Sequence, residues 1–269
     1  MSSVNYAEKA KELRRTILQT LHDANGSFSG GCLSAIDLLT VLFYGIIRLD
    51  SVRSRERDRD MFILSKGHCS SALYAVLASV DLMPDSALKT YGKDGSVLGV
   101  HPKKDSYPGI EVSSGSLGHG LALASGSALA AKILHCDAKV YVLMGDGECN
   151  EGSVWENAAF ASRHKLNNLI VMVDRNLLQG CGTDQDILNY GDMAEKFRAF
   201  GFQAIDIDGH DYDQIEAALK LAVTSEKLPT AIIAHTVKGK GVSFMEDRLE
   251  WHYKSPNDGQ LNQAMEELK

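Results

Sequence analysis

Short apolar runs alternate with helix-period segments along most of the chain, and that alternation leaves few folds open. Met61-Phe62-Ile63-Leu64, Val140-Tyr141-Val142-Leu143-Met144 and Leu169-Ile170-Val171-Met172-Val173 read as strands, as do Ala204-Ile205-Asp206-Ile207 and Ala231-Ile232-Ile233-Ala234. Continuous apolar runs of this length belong to strands buried on both faces. Leu13, Ile17, Leu18 and Leu21 give residues 6–22 a helical period, and helices are also expected over 35–47, 70–80, 117–134, 153–164 and 212–223. Strands that alternate with helices predict a mainly parallel sheet with helices on both faces, a doubly wound α/β fold.

The chain has 269 residues, 44% of them hydrophobic, which suffices for one large core. No repeat, low-complexity tract or Pro/Gly/Ser-rich linker divides it, so residues 1–269 read as a single domain. The mixed-sign run from Arg53 to Asp60 reads as a solvated loop, and 92–116 as a Gly- and Pro-bearing loop. A net charge of −7 opposes nucleic acid as a partner. No stretch approaches the roughly 18 uninterrupted apolar residues of a membrane span. Met1-Ser2-Ser3-Val4-Asn5 leads into a charged helix without the apolar centre of a secretory signal. Five cysteines with no C-x-x-C pair argue against a disulfide framework or a zinc site. The expectation is a cytoplasmic protein.

The segment from Gly145-Asp146-Gly147 to Asp174-Arg175-Asn176 carries the most chemistry. Asp146 follows one strand and Asn176 the next, and a right-handed crossover puts both carboxyl ends on one edge of the sheet. That edge is where ligands bind in open α/β folds. Asp146 offers a carboxylate and Asn176 an amide oxygen, hard ligands suited to Mg2+ or Ca2+. The backbone carbonyl of Leu178 adds a third oxygen, which leaves room for phosphate oxygens and a water. Gly145 and Gly147 permit a tight turn and close approach to a phosphate, and the helix start at Ser153 would favour an anion nearby. These pieces read as a metal-bridged diphosphate site.

Gly145-Asp146-Gly147-Glu148 with Asn150-Glu151-Gly152 and Asn176 resembles the thiamine-diphosphate motif of transketolases. The resemblance implies that Asp146, Asn176 and the Leu178 carbonyl hold the metal, while Gly147 and Asn176 also touch thiamine diphosphate. Ser65-Lys66-Gly67-His68 is similar to a family stretch whose His faces the diphosphate and the substrate channel. Val100-His101-Pro102 matches a loop with a substrate-facing His. Ser113-Ser114-Gly115-Ser116-Leu117-Gly118 matches a loop under the cofactor, implying contacts from Gly115, Ser116 and Leu117. Trp251-His252-Tyr253-Lys254-Ser255-Pro256 resembles the loop that brings a His, here His252, near the diphosphate and the reacting carbon. Catalytic roles are thus implied for His68, His101 and His252, since imidazole can donate to a phosphate or hydroxyl and shuttle protons near neutral pH. His22, His119, His135, His164, His210 and His235 are read as surface or structural, and the stretch 206–211 as structural.

Two positions depart from the family pattern. Phe28 stands where many transketolases have a substrate-contacting His, and His119 replaces a common Gln. Phenylalanine cannot donate a hydrogen bond to a ketose hydroxyl, so sugar recognition is expected to differ. The resemblance also implies a pyrimidine-binding domain whose Glu activates the cofactor, and no residue here takes that role. The expectation is therefore a split enzyme. This chain is its N-terminal subunit, its partner carries the pyrimidine-binding and C-terminal domains, and the assembly holds two copies of each. The expected reaction transfers a two-carbon ketol unit from a ketose, phosphorylated or of an unusual kind, to an aldose. A scaffolding subunit would not need both Asp146 and Asn176, and a Mg2+-dependent phosphohydrolase would need a nucleophile or base beside Asp146 that is not recognisable.

Overall fold

The protein is described by a computed structural model over residues 4–188 and 191–269; Met1-Ser2-Ser3, part of the N-terminus read above as lacking a signal, lies outside them. Helix α1 (Tyr6–Asp23) is capped by Asn5, whose side chain accepts the Glu8 N–H at 3.2 Å. Helix α2 (Ser29–Val41) is buried at every residue and runs into a wider π-helical turn over Leu42–Ile46. Then follow α3 (Leu49–Ser54), β1 (Met61–Leu64), α4 (Ser70–Ser79), α5 (Gly120–Ile133), β2 (Val140–Gly145), α6 (Gly152–Arg163) and β3 (Leu169–Arg175). A small antiparallel hairpin, β4 (Leu178–Gln179) and β5 (Gly182–Thr183), leads to α7 (Asp184–Leu188) and α8 (Met193–Ala199). The chain closes with β6 (Gln203–Asp208), α9 (Tyr212–Val223), β7 (Thr230–His235) and α10 (Asp258–Glu267).

The main sheet is parallel, in the order β1-β2-β3-β7-β6. Alternate strand residues point to opposite faces, and each face has its own apolar core. Phe62, Leu64, Tyr141, Leu143, Ile170, Met172 and Ile232 pack with residues of α1, α2, α4 and α9. Ile63, Val142, Met144, Val171, Val173 and Ile233 pack with residues of α5, α6 and α8. Full burial of such a side chain contributes about 1.5–3 kcal/mol, so two-sided strands are the most strongly specified part of the chain. The register pairs Gly145 with Asp174 and Arg175 with His235. Loops leaving β1, β2, β3 and β7 therefore emerge side by side on one edge.

The doubly wound expectation holds, with adjustments. The helix expected over 35–47 begins at Ser29, and the one expected over 117–134 begins at Gly120. Gly115 and Gly118 hold φ of 140° and 81°, which keeps the preceding loop out of the helix. The run Arg53–Asp60 is not simply solvated. Asp60 is 2% exposed and accepts hydrogen bonds from Arg48 Nε at 3.1 Å and from the Lys139 N–H at 3.0 Å. The segment 29–46 is apolar and long enough to cross a membrane by composition, yet most of it is buried inside the molecule, in contact with α1, α4 and α9. Its apolarity belongs to the core.

A buried ionic network joins three of these helices. Arg14 of α1 donates to Asp37 of α2 at 2.9 and 2.7 Å. Asp37 also bonds His210 Nδ1 at 2.7 Å and accepts from Tyr212 of α9 at 2.9 Å. Burial alone would push the Asp37 carboxyl up; the Arg14 guanidinium and His210 overcome it and hold it below the usual range. Asp37→Asn would leave the buried Arg14 charge unpaired, and a loss of about 3–5 kcal/mol is expected. Denaturant unfolding measures it; a loss under about 1 kcal/mol would show that the network does not clamp the helices.

Candidate functional site

The loops that leave β2 and β3 meet. Asp146, directly after β2, is 3% exposed. One carboxylate oxygen accepts the Gly147 N–H at 2.8 Å, capping a 3-10 turn over Gly147–Asn150. The other accepts the Leu177 N–H at 2.6 Å, across the gap between strands. The Asn176 side-chain oxygen accepts the Leu178 N–H at 3.2 Å, and the Leu178 carbonyl accepts from Lys238 Nζ at 2.8 Å. Carboxylate, amide oxygen and carbonyl are thus gathered in one small region. Burial first, then the nearby Asp174 charge, pushes the Asp146 carboxyl up to about 6.

Two ammonium groups flank these oxygens, each on a side chain 2% exposed. Lys66, after β1, lies 2.5 Å from Asp174 and donates to the Gly31 carbonyl at 3.4 Å. Burial opposes its charge, but Asp174 overcomes that and raises its pKa. Lys238, after β7, bonds the Leu178 carbonyl and His252 Nδ1, each at 2.8 Å. Burial, and next the Lys66 charge, pull Lys238 down to about 8. Two neighbouring buried cations share one carboxylate partner, so the region is short of negative charge.

These groups line a cavity of about 450 Å3 that also takes in Phe28, Gly31, His68, His101, Gly115, Leu117, Gly147, Gln179 and His252. Small residues make its floor. A Cβ on Gly31 would lie 3.1 Å from Cys69 Sγ, and one on Gly147 would lie 2.8 Å from Gln179 Cγ. Gly115 is doubly constrained: φ is 140°, and a Cβ would come within 2.9 Å of the His101 ring. Beneath the floor Glu148, 2% exposed, accepts from Ser65 Oγ, from the Gly118 N–H at 2.8 Å and from the Gly145 N–H at 3.2 Å. It fastens three site loops together. His252 is pulled down to about 4 by burial and by Lys238, and His101 is lowered by burial and by His68. At neutral pH His252 is uncharged. Its Nδ1 accepts from the charged Lys238, which leaves the proton on Nε2.

Of the residues singled out in the sequence, His68, His101, His252, Gly115, Leu117, Asp146, Gly147, Asn176 and Leu178 line this one cavity. Ser116 does not; it is exposed on the same loop. The start of α6 does not line it either, because the 3-10 turn intervenes and Ser153 Oγ donates to the Gly118 carbonyl at 2.9 Å. His210 joins the Asp37 network, and the other histidines read as structural or surface do not line the cavity. Sequence reasoning missed Lys66, Lys238, Glu148 and Asp174. Lys238 carried a signal, since it follows a strand's carboxyl end and precedes Gly239, and Lys66 sits inside the quoted Ser65–His68 stretch.

The residues fit a diphosphate held jointly with a divalent cation. The uncompensated cations call for an anion, and the glycine floor lets it approach the backbone. The donor set for the cation is three oxygens, suited to Mg2+ or Ca2+. Among the described residues no cluster of three or more His, Cys, Asp or Glu side chains could hold a metal, so a cation here would need ligand oxygens. Asn150 Oδ1 and Gln179 Nε2 are buried without partners beside the same floor, and a bound polar group would satisfy them.

Comparison with known proteins agrees with this arrangement. The family described as transketolase, thiamine diphosphate binding domain, matches residues 6–268. One of the two chains of the apulose-4-phosphate transketolase of Phocaeicola vulgatus is 38% identical over 260 residues, covering 97% of this chain and 92% of that protein. A 6-deoxy-6-sulfo-D-fructose transketolase subunit from Clostridium is 34% identical, covering 99% of this chain and 97% of its own. Human transketolase is 37% identical over 97% of this chain, which spans only 41% of the human protein. The crystal structure of transketolase from Campylobacter jejuni superposes with a TM-score of 0.89 at 31% identity, over 99% of this chain and 43% of that one.

Asp146 must be ionised to ligate a cation, and it is protonated below its raised pKa of about 6. Divalent-ion affinity, followed with Mn2+ by electron paramagnetic resonance in the presence of pyrophosphate, is expected to hold above pH 6 and fall steadily below it. A flat profile between pH 7 and 5 would remove Asp146 from the ligand set.

Proposed function

The chain belongs to the transketolase family as its thiamine-diphosphate-binding domain, and we propose that it is the diphosphate-holding subunit of a transketolase divided between two polypeptides. The enzyme transfers a two-carbon ketol unit from a ketose to an aldose. Near full-length matches to proteins named as transketolase subunits support the division, as does the 41% share of the human enzyme that the chain spans. The partner supplies the pyrimidine-binding and C-terminal domains, and two copies of each subunit make the assembly. Those relatives are named for apulose 4-phosphate and 6-deoxy-6-sulfo-D-fructose; an anionic ketose is the substrate class proposed here.

The observation that carries the reading is the pair of buried ammonium groups beside three hard oxygens. Lys66 and Lys238 would neutralise the diphosphate, while Asp146, Asn176 and the Leu178 carbonyl would hold Mg2+ or Ca2+. Gly147 and Gly115 give the cofactor its close backbone contacts. Thiamine diphosphate, when bound, supplies a thiazolium carbon able to attack a ketone carbonyl. The protein's part is positioning and proton traffic. His252, neutral with its proton on Nε2, can donate to a developing alkoxide and take the proton back. His68 and His101 line the same cavity and can hold sugar hydroxyls in place. Low dielectric around these imidazoles strengthens each such contact.

Mixing the chain with its partner subunit, thiamine diphosphate and Mg2+ is expected to give ketol transfer that neither polypeptide gives alone. Asp146→Ala should weaken metal-dependent cofactor binding beyond the roughly 10–100-fold loss that outer-shell positions cause. Transfer by this chain alone, or an Asp146→Ala protein with unchanged cofactor affinity, would overturn the reading.

A further inference from the structure

Resting on that reading, we propose that Phe28 is a specificity-determining residue: its ring walls the cavity with carbon, and the enzyme accepts reactants whose face toward that wall bears C–H or methyl where a sugar would bear a hydroxyl. Phe28 lies at the start of α2 with φ 70° and ψ 23°, a left-handed conformation that a bulky side chain rarely adopts. It is pinned there. Its N–H donates to the His252 carbonyl at 3.1 Å, and its own carbonyl accepts the Cys32 N–H at 3.1 Å. The two bonds fix the ring against the site imidazoles, with centroids 5.1 Å from His68, 5.4 Å from His252 in an edge-on arrangement, and 6.2 Å from Tyr253.

Phe28, His68, His252 and Tyr253 thus form an aromatic cluster along one side of the cavity. The ring offers no donor or acceptor, so a hydroxyl turned toward it loses its water without gaining a partner. A site that hydrogen-bonds a hydroxyl rejects the analogue lacking it strongly, whereas an apolar wall discriminates far less and tolerates or favours the methyl isostere. A backbone held in an unfavourable conformation to present an aromatic ring is the observation from which the functional assignment runs.

The test uses the enzyme reconstituted with its partner, thiamine diphosphate and Mg2+, with hydroxypyruvate as donor. Hydroxypyruvate loses CO2 as it gives up its two-carbon unit, so the forward rate is read without reversal. Glycolaldehyde and propanal, which differ by a hydroxyl against a methyl, compete as acceptors. The wild type is expected to use propanal with a kcat/KM at least equal to that for glycolaldehyde. Phe28→His, and Phe28→Asn whose side chain tolerates the left-handed backbone, should each shift the ratio toward glycolaldehyde by about tenfold or more. Phe28→Leu should keep the wild-type ratio within twofold. A wild-type preference for glycolaldehyde above tenfold overturns the assignment, as does an unchanged ratio in both polar variants, or a Leu variant that shifts like them. Absence of any transfer by the wild type would instead overturn the functional reading on which it rests, and the assignment with it.

Discussion

One fully buried carboxylate, Asp174 at the end of β3, holds four segments in register around the cavity. It accepts from Ser34 of α2 at 2.6 Å, from Lys66 after β1 at 2.5 Å and from Thr236 after β7. Burial by itself would drive the carboxyl up; the Lys66 ammonium and the two hydroxyls hold it below the usual range. Removing one partner of such a pair is expected to destabilise by about 3–5 kcal/mol, because the other charge stays buried and uncompensated. The same carboxylate disfavours charge on Asp146. Scaffold and site electrostatics therefore share one group.

That sharing explains why the site is incomplete as a protein-only object. Asp174 satisfies Lys66 but not Lys238, which settles on a carbonyl and an imidazole. The Leu178 carbonyl that would ligate a cation already accepts from an ammonium. A divalent ion arriving alone would face two buried positive charges, and an anion arriving alone would face Asp146. Each binds better when the other is present, and linkage makes that gain mutual. A metal diphosphate satisfies all of these groups together.

Much of this is legible in the sequence, for identifiable reasons. The β2 and β3 runs stand out because both sheet faces are covered, which demands unbroken apolar residues, and their order fixes where Asp146 and Asn176 meet. The short helices α8 and α10 escape such a reading, since 7 and 10 residues carry little periodic signal. Lys66 is easily overlooked because lysine is ordinarily exposed, and only the long-range partner Asp174 makes its burial tolerable. Asp60 reads as solvated for a similar reason: its donors Arg48 and Lys139 are distant in sequence. Ser116 shows the opposite failure, for a motif locates a loop without fixing which of its side chains turns inward. Phe28 is visible as a departure, but its pinned backbone and aromatic neighbours are facts of three-dimensional structure.

The central claim is that three oxygens from neighbouring strand ends and two buried ammonium groups act as one receptor for a metal diphosphate. A crystal of the reconstituted enzyme grown with thiamine diphosphate and Mn2+, with data collected at the manganese edge, tests it most directly. The account predicts one anomalous peak touching Asp146, the Asn176 side-chain oxygen and the Leu178 carbonyl, with Lys238 turned from that carbonyl onto a phosphate oxygen. A manganese ion bound elsewhere, or a diphosphate that contacts neither lysine, would contradict it.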